Sequence, residues 1–171
     1  MDGGVERALQ VDEQADVDRS LGAEAEGQAA REILRGCVCS RTRMLDRVLS
    51  RIFDESLAPL GIRSSQLTVL ALIGAMEGLR AAHVAKYLEM DKSTVSRGVG
   101  LLRARGWVEE SAGPTRKSPR LDVTAKGRAL LHETLPLWSA AAERAQDVLG
   151  EESVEALRGA ADSFLRRRAS H

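Results

Sequence analysis

A change of hydrophobic period at Gly106 constrains this chain more than any other feature. Ahead of it, Val95, Val99 and Leu102 recur at i, i+4 and i+7, the spacing of one buried helical stripe. Behind it, Trp107-Val108-Glu109-Glu110 and Arg120-Leu121-Asp122-Val123 read as two short strands. The link between them, SAGPTRKSP, holds Gly113, Pro114 and Pro119 and carries Arg116 and Lys117 at its tip, which predicts a basic-tipped hairpin. Asp91 stands where an N-cap carboxylate accepts from first-turn amides, and Gly106 stands at a helix C-cap. Upstream, residues 80–88 are helical in pattern, so only Glu89, Met90 and Asp91 separate two helices.

On a wheel of about 100° per residue, the side opposite the stripe presents Ser93, Arg97, Gly100 and Ala104. A face meant only for water would carry more Glu and Lys. Small residues permit close approach to a DNA major groove, and an arginine reaches phosphates or guanine edges. Ser93, Thr94 and Ser96 add hydroxyls beside Arg97. Helix, tight turn, helix and hairpin make a winged helix. The run DKSTVSRGVGLLRARGWVE, followed by the wing and by L-x-V-T-x-K-G-R, resembles the MarR family of bacterial transcription regulators. LAPLGIRSSQLTVLALI, just upstream, is similar to the start of that family's second helix. The resemblance covers about residues 31–168. It implies a mainly α fold with a small β-hairpin wing: a winged helix-turn-helix over 62–124, and dimerisation helices at 31–58 and 124–168. It also implies a homodimer on a pseudo-palindromic double-stranded operator and a small aromatic or amphipathic effector. The family's wing has an Asp two residues before an Arg; here Thr115 and Lys117 occupy those places, so that ion pair is missing. Arg116, Lys117 and Arg120 remain candidates for groove or phosphate contact.

The flanking segments are helical. Residues 31–57 read as one long helix with an apolar stripe of Leu34, Val38, Leu45, Val48, Leu49 and Ile52, ended by Pro59 and Gly61. Arg41 falls inside that stripe, its stem expected to pack while its head snorkels out. Ser64 is expected to cap a second helix, 65–76, apolar on nearly all sides and therefore central. Ser64, Ser65 and Gln66 offer amides and hydroxyls suited to a phosphate, or simple capping. Thr124 caps a further helix bearing Leu130, Leu131, Leu135, Trp138 and Val148, with a kink or break expected near Pro136. Residues 151–168 carry Val154, Leu157, Ala161, Phe164 and Leu165 and finish in three arginines suited to a helix C-terminus. These helices are too long and apolar merely to decorate a winged helix.

Hydrophobic content is 43% with only 3% aromatic, so the core is built from Leu, Val and Ala. A net charge of zero conceals an asymmetry: residues 1–30 hold eight acids and two bases, the remainder 17 acids and 23 bases. Residues 1–30 read as a disordered or partly helical extension, solubilising rather than competing with DNA, and 31–171 as a single domain. No apolar run approaches the ~20 residues of a membrane span, and the acidic start is wrong for a signal peptide; a cytoplasmic protein without membrane contact is expected. His83, His132 and His171 show no metal-site or catalytic spacing, and the wing tip lacks the second glycine of a P-loop. No enzyme, metal or cofactor is expected. On a continuous helix Cys37 and Cys39 lie about 200° apart and cannot bond to each other. Cys37 is expected as a small core residue. Cys39 stands where the family's peroxide-sensing branch carries its reactive cysteine. That branch has tyrosines where Arg63-Ser64-Ser65-Gln66 stands here, so an inert cysteine is the preferred reading. The whole reads as a sequence-specific DNA-binding repressor, released from its operator by a small-molecule effector. Lys92, Arg116, Lys117 and Arg120 would supply salt-dependent affinity, and Ser93, Thr94, Ser96 and Arg97 sequence preference. The alternative is a thiol-based redox-sensing regulator using Cys39; a protein–protein winged helix is the third class.

Overall fold

A computed structural model describes residues 27–115 and 118–169. Its order is α1 (Gln28–Gly36), α2 (Val38–Leu57), a 3-10 turn (Ala58–Leu60), α3 (Ser64–Ala75), α4 (Ala81–Tyr87), α5 (Lys92–Ala104), β1 (Val108–Thr115), β2 (Ser118–Val123), α6 (Ala125–Leu149) and α7 (Glu151–Ala169). The fold is mainly helical with one antiparallel hairpin, as the periodicity predicted. The chain divides into two compact units, Met1–Asp46 and Arg47–His171. Residues 1–26, 116, 117, 170 and 171 lie outside the described residues.

In the first unit, the single helix expected over 31–57 is broken at Cys37. That residue is extended (φ −77°, ψ 99°) and closes α1 by donating its N–H to the Ile33 carbonyl at 2.8 Å. Gly36 lowers helix propensity at this point, and nearby side chains serve both new ends. Ser40 N–H donates to Cys37 Sγ at 3.4 Å, while Arg41 Nε and Nη2 donate to the Arg35 carbonyl at 3.1 and 2.8 Å. The Arg41 head therefore serves a helix terminus instead of simply snorkelling. Cys37 is a half-buried capping residue, not a core residue, and the 200° separation from Cys39 no longer applies.

In the second unit α3 is central, burying Leu67, Val69, Leu70, Leu72 and Ile73. Around it pack Val84 of α4, Val95, Val99 and Leu102 of α5, Val108, Leu121 and Val123 of the hairpin, and Leu130 of α6. Each such large side chain contributes about 1.5–3 kcal/mol, more than any exposed ion pair, so this core sets where α5 and the hairpin stand. A smaller cluster joins Ile52 to Ala141 and Ala145. The hairpin pairs Val108 with Val123, Glu110 with Leu121 and Ser111 with Arg120, with an irregularity between Ser111 and Thr115 around Gly113-Pro114. Leu79 adds one rung at its edge, its carbonyl accepting from Leu121 N–H at 2.8 Å.

α5 ends as predicted. Gly106 is left-handed (φ 72°), with its N–H on the Arg103 carbonyl at 2.8 Å and Trp107 N–H on the Leu102 carbonyl at 3.0 Å. Thr124 caps α6, its Oγ1 accepting from Gly127 N–H at 3.0 Å and donating to the Gly106 carbonyl at 2.7 Å. One residue thus fastens the start of α6 to the end of α5. α6 runs through Pro136 without the expected break. A proline in a helix interior costs about 3 kcal/mol, and burial on either side, Leu130 in the main core and Ala141 and Ala145 against Ile52, holds the helix together.

Candidate nucleic-acid interface

α5 buries Val95, Val99 and Leu102 and exposes Lys92, Ser93, Thr94, Ser96, Arg97, Gly100 and Ala104. Arg97 lies along this face, with Nε donating to the Ser93 carbonyl at 3.3 Å. A Cβ built on Gly98 or Gly100 would meet nothing within 4 Å. Glycine in a helix interior costs roughly 0.5–1 kcal/mol relative to alanine, and no packing contact among the described residues requires it here. The bare backbone is useful only to something that approaches from outside. Asp91 is the N-cap by position, but its carboxylate makes no capping bond. The Thr94 and Val95 amides already donate to the Asp91 carbonyl, at 3.0 Å each.

At the start of α3 the helix begins at Ser64, with Arg63 in the N-cap position expected for Ser64. The Ser64 amide and hydroxyl both donate to the Asp54 carboxylate, at 2.7 and 2.6 Å, and Gln66 Oε1 accepts from Arg63 N–H at 3.1 Å. Of the three residues expected there to meet phosphate, Ser64 and Gln66 have these internal partners and Ser65 is exposed. Asp54 was missed because its partner lies ten residues away, across a turn.

On the wing, Arg120 is exposed opposite Ser111, whose hydroxyl donates to Asp122. Arg116 and Lys117 lie outside the described residues. Arg103 of α5 pairs with Glu110 of β1 at 3.0 Å, bracing wing against helix where the expected wing ion pair is absent. Beside this pair lies a groove of about 210 Å³, lined by Arg80, Ser96, Val99, Arg103, Glu110 and Leu121 among others. Among the described residues no group of three His, Cys, Asp or Glu is placed to hold a metal. No single helix there is long and apolar enough to cross a membrane.

Residues 60–117 match the model of the MarR family. The structure is similar to the Mycobacterium tuberculosis transcriptional regulator MosR, with a TM-score of 0.65 and 29% identity over 78% of this chain and 97% of that one. That family match falls on α3, α4, α5 and β1. The chain's curated relatives include the Escherichia coli (strain K12) multiple antibiotic resistance protein MarR, 29% identical over 90 residues, which are 53% of this chain and 62% of the relative. Another is the uncharacterised HTH-type transcriptional regulator YwoH of Bacillus subtilis (strain 168), 25% identical over 87 residues, 51% of this chain and 64% of that protein. Both alignments therefore span less than two thirds of the relatives' own length. A mutant E. coli MarR in complex with operator DNA shares the fold, with a TM-score of 0.68 at 21% identity over 78% of this chain and 97% of that one.

The two cysteines differ in kind. Hydrogen bonding from the Ser40 side chain and then its amide holds the Cys37 thiol below the ordinary cysteine value, against a smaller opposing effect of burial. Cys39 is exposed, within α2. The Cys37 thiol is thus shifted toward its thiolate, where a small core residue was expected. The signal in the sequence was Gly36, which marks a helix end and makes Cys37 the first residue of a new capping arrangement.

Proposed function

We propose that this protein is a DNA-binding transcription regulator that works as a homodimer, a repressor released by a small-molecule effector. The observation that carries the reading is the outer face of α5: Arg97 among exposed hydroxyls, beside two glycines whose missing side chains leave open space. Such a surface suits a helix lying in a major groove. Lys92 and Arg120 are exposed and contribute charge toward phosphates, and Arg116 and Lys117 belong to the same tip in sequence. The DNA complex of the E. coli MarR mutant, which shares this fold, supports the same orientation of function. The homodimer is supported by Leu135, Trp138 and Val148 of α6 and Phe164 of α7, all left exposed by the single chain. An effector must bind two arrangements of the dimer unequally in order to switch it; the groove between α5 and the wing is a concave place for one.

The test is selection of binding sites from random duplexes, followed by gel shifts. Arg97→Ala is expected to lower affinity for the selected duplex by about 1–3 kcal/mol, the value of a good base contact, and affinity for random duplex much less. Equal losses on both would reduce Arg97 to a phosphate clamp. Failure of the wild type to enrich any sequence would end the DNA-reading proposal. A second reading, thiol-based regulation, is favoured by the capped sulfur of Cys37 rather than by Cys39.

A further inference from the structure

The C-terminal arginine run is not used uniformly. Arg168 reaches back 82 residues to the turn of the helix-turn-helix, where Nη2 donates to the Lys86 carbonyl and Nη1 pairs with the Glu89 carboxylate. Its side chain is 27% exposed, against 58% for Glu89.

Both contacts fall on a segment with special geometry. α4 ends at Tyr87, and its last carbonyls need partners from outside the helix. Leu88 N–H donates to Val84 and Met90 N–H to Ala85, each at 2.9 Å. The Lys86 carbonyl takes the Arg168 guanidinium. Glu89, one residue past the cap, has φ 52° and is the one non-glycine with positive φ among the described residues. Glycine adopts that conformation without steric cost and is the usual residue there. A glutamate at this position bears the cost of a Cβ and, in return, presents a carboxylate to Arg168. An exposed ion pair alone is worth little. A guanidinium held at two points by a carbonyl and a carboxylate is different, because it fixes a relative position.

We infer that Arg168 is a positioning residue: through Lys86 and Glu89 it holds the turn that leads into α5, so that the placement of the reading helix follows the placement of α7. The inference rests on the proposed reading of α5 as the DNA reader and of α6 and α7 as the dimer arm. Its consequence is selective. The latch governs how two reading helices are spaced, and so affects a paired site far more than non-specific contact with a phosphate backbone.

The experiment uses the full chain, a duplex selected in vitro with the wild-type protein, and a random duplex of equal length, over a salt series. Arg168→Ala and Glu89→Gly are each expected to weaken binding to the selected duplex on the order of tenfold. Random-duplex binding should stay within about twofold and the salt slope should not change. Arg168→Ala should move the thermal midpoint by less than about 4 °C. Glu89→Gly should leave it unchanged or raise it, since glycine relieves the left-handed residue; a loss of discrimination without a loss of stability separates positioning from mere support of the fold. The exchange Arg168→Glu with Glu89→Arg should bind the selected duplex more tightly than either single change. Three results would overturn the inference: an unchanged affinity in Arg168→Ala, an exchange no better than its parts, or a salt slope reduced by about one with random binding falling alongside. The last would assign Arg168 to a phosphate instead. A wild-type protein that selects no duplex, or that sediments as a monomer, overturns the underlying reading and the inference with it.

Discussion

Gly127 sits so close to the hairpin that a Cβ there would stand 2.1 Å from the Trp107 carbonyl oxygen and 2.7 Å from Val123 Cγ1. The first of these is backbone and cannot swing aside. Gly127→Ala is therefore expected to destabilise the protein by about 1–3 kcal/mol or more, the usual range for overpacking, with thermal denaturation as the measurement. A midpoint equal to that of the wild type would mean that the crossing of α6 over Trp107 is looser than described. The KGR stretch of the sequence motif thus has a steric reason for its glycine. Cys37 is the second single-residue case. Its thiol is held below the ordinary value, so the thiolate fraction near neutral pH is raised and is lost as pH falls through the lowered value. Alkylation of Cys37 by iodoacetamide, followed by mass spectrometry across pH, should show a midpoint below that of free cysteine. Ser40→Ala, which removes the leading cause, should move the midpoint upward. The same midpoint in both proteins would dismiss the Ser40 interaction.

At the scale of elements, α5 shows stability given up for access. Its inner stripe is fully committed to the core, while its outer face includes an exposed glycine with open space at the Cβ position. Gly100→Ala should raise stability by about 0.5–1 kcal/mol through helix propensity alone. The same change should weaken duplex binding if the helix lies in a groove, because the added methyl group occupies the approach. Urea unfolding and gel shifts on one preparation read both effects. A more stable variant with undiminished binding would leave the glycine without a role in recognition. α2 and α3 illustrate a different lesson: the start of α3 is secured by Asp54 from α2, so neither helix end can be understood from its own residues.

For the whole molecule, the exposed apolar side chains are the guide to assembly. Leu135 and Trp138 are 59% and 47% exposed in the single chain, and the main core does not depend on them. Replacing both with glutamate is expected to leave the winged helix folded and to shift sedimentation from dimer to monomer. Affinity for a paired site should then fall toward the non-specific range of roughly 10⁻⁴–10⁻⁶ M at physiological salt. An unchanged dimer would place the interface elsewhere, on residues such as Ile33, Leu34 and Met44, which are also exposed.

Local patterns were legible in the sequence because they depend on neighbours a few residues apart. The stripe of Val95, Val99 and Leu102, the Gly106 stop, the Thr124 cap and the hairpin all follow from such short-range spacing, and with them the winged helix. The outward face of α5 was legible for the same reason. The tertiary structure decided what depends on residues distant in sequence or on competition between local options. Periodicity made 31–57 one helix, whereas the Cys37 sulfur accepting from the Ser40 amide and the Arg41 side chain on the Arg35 carbonyl stabilise a break at Cys37, which takes that residue out of the core position expected for it. The hold of Asp54 on Ser64, the closeness of Gly127 to Trp107, and the grip of Arg168 on Lys86 and Glu89 arise only when the core has brought separate segments together. A periodic pattern records which face of an element is buried. It holds no record of which distant side chain will meet that element's ends, because that is set by the packing of the elements themselves.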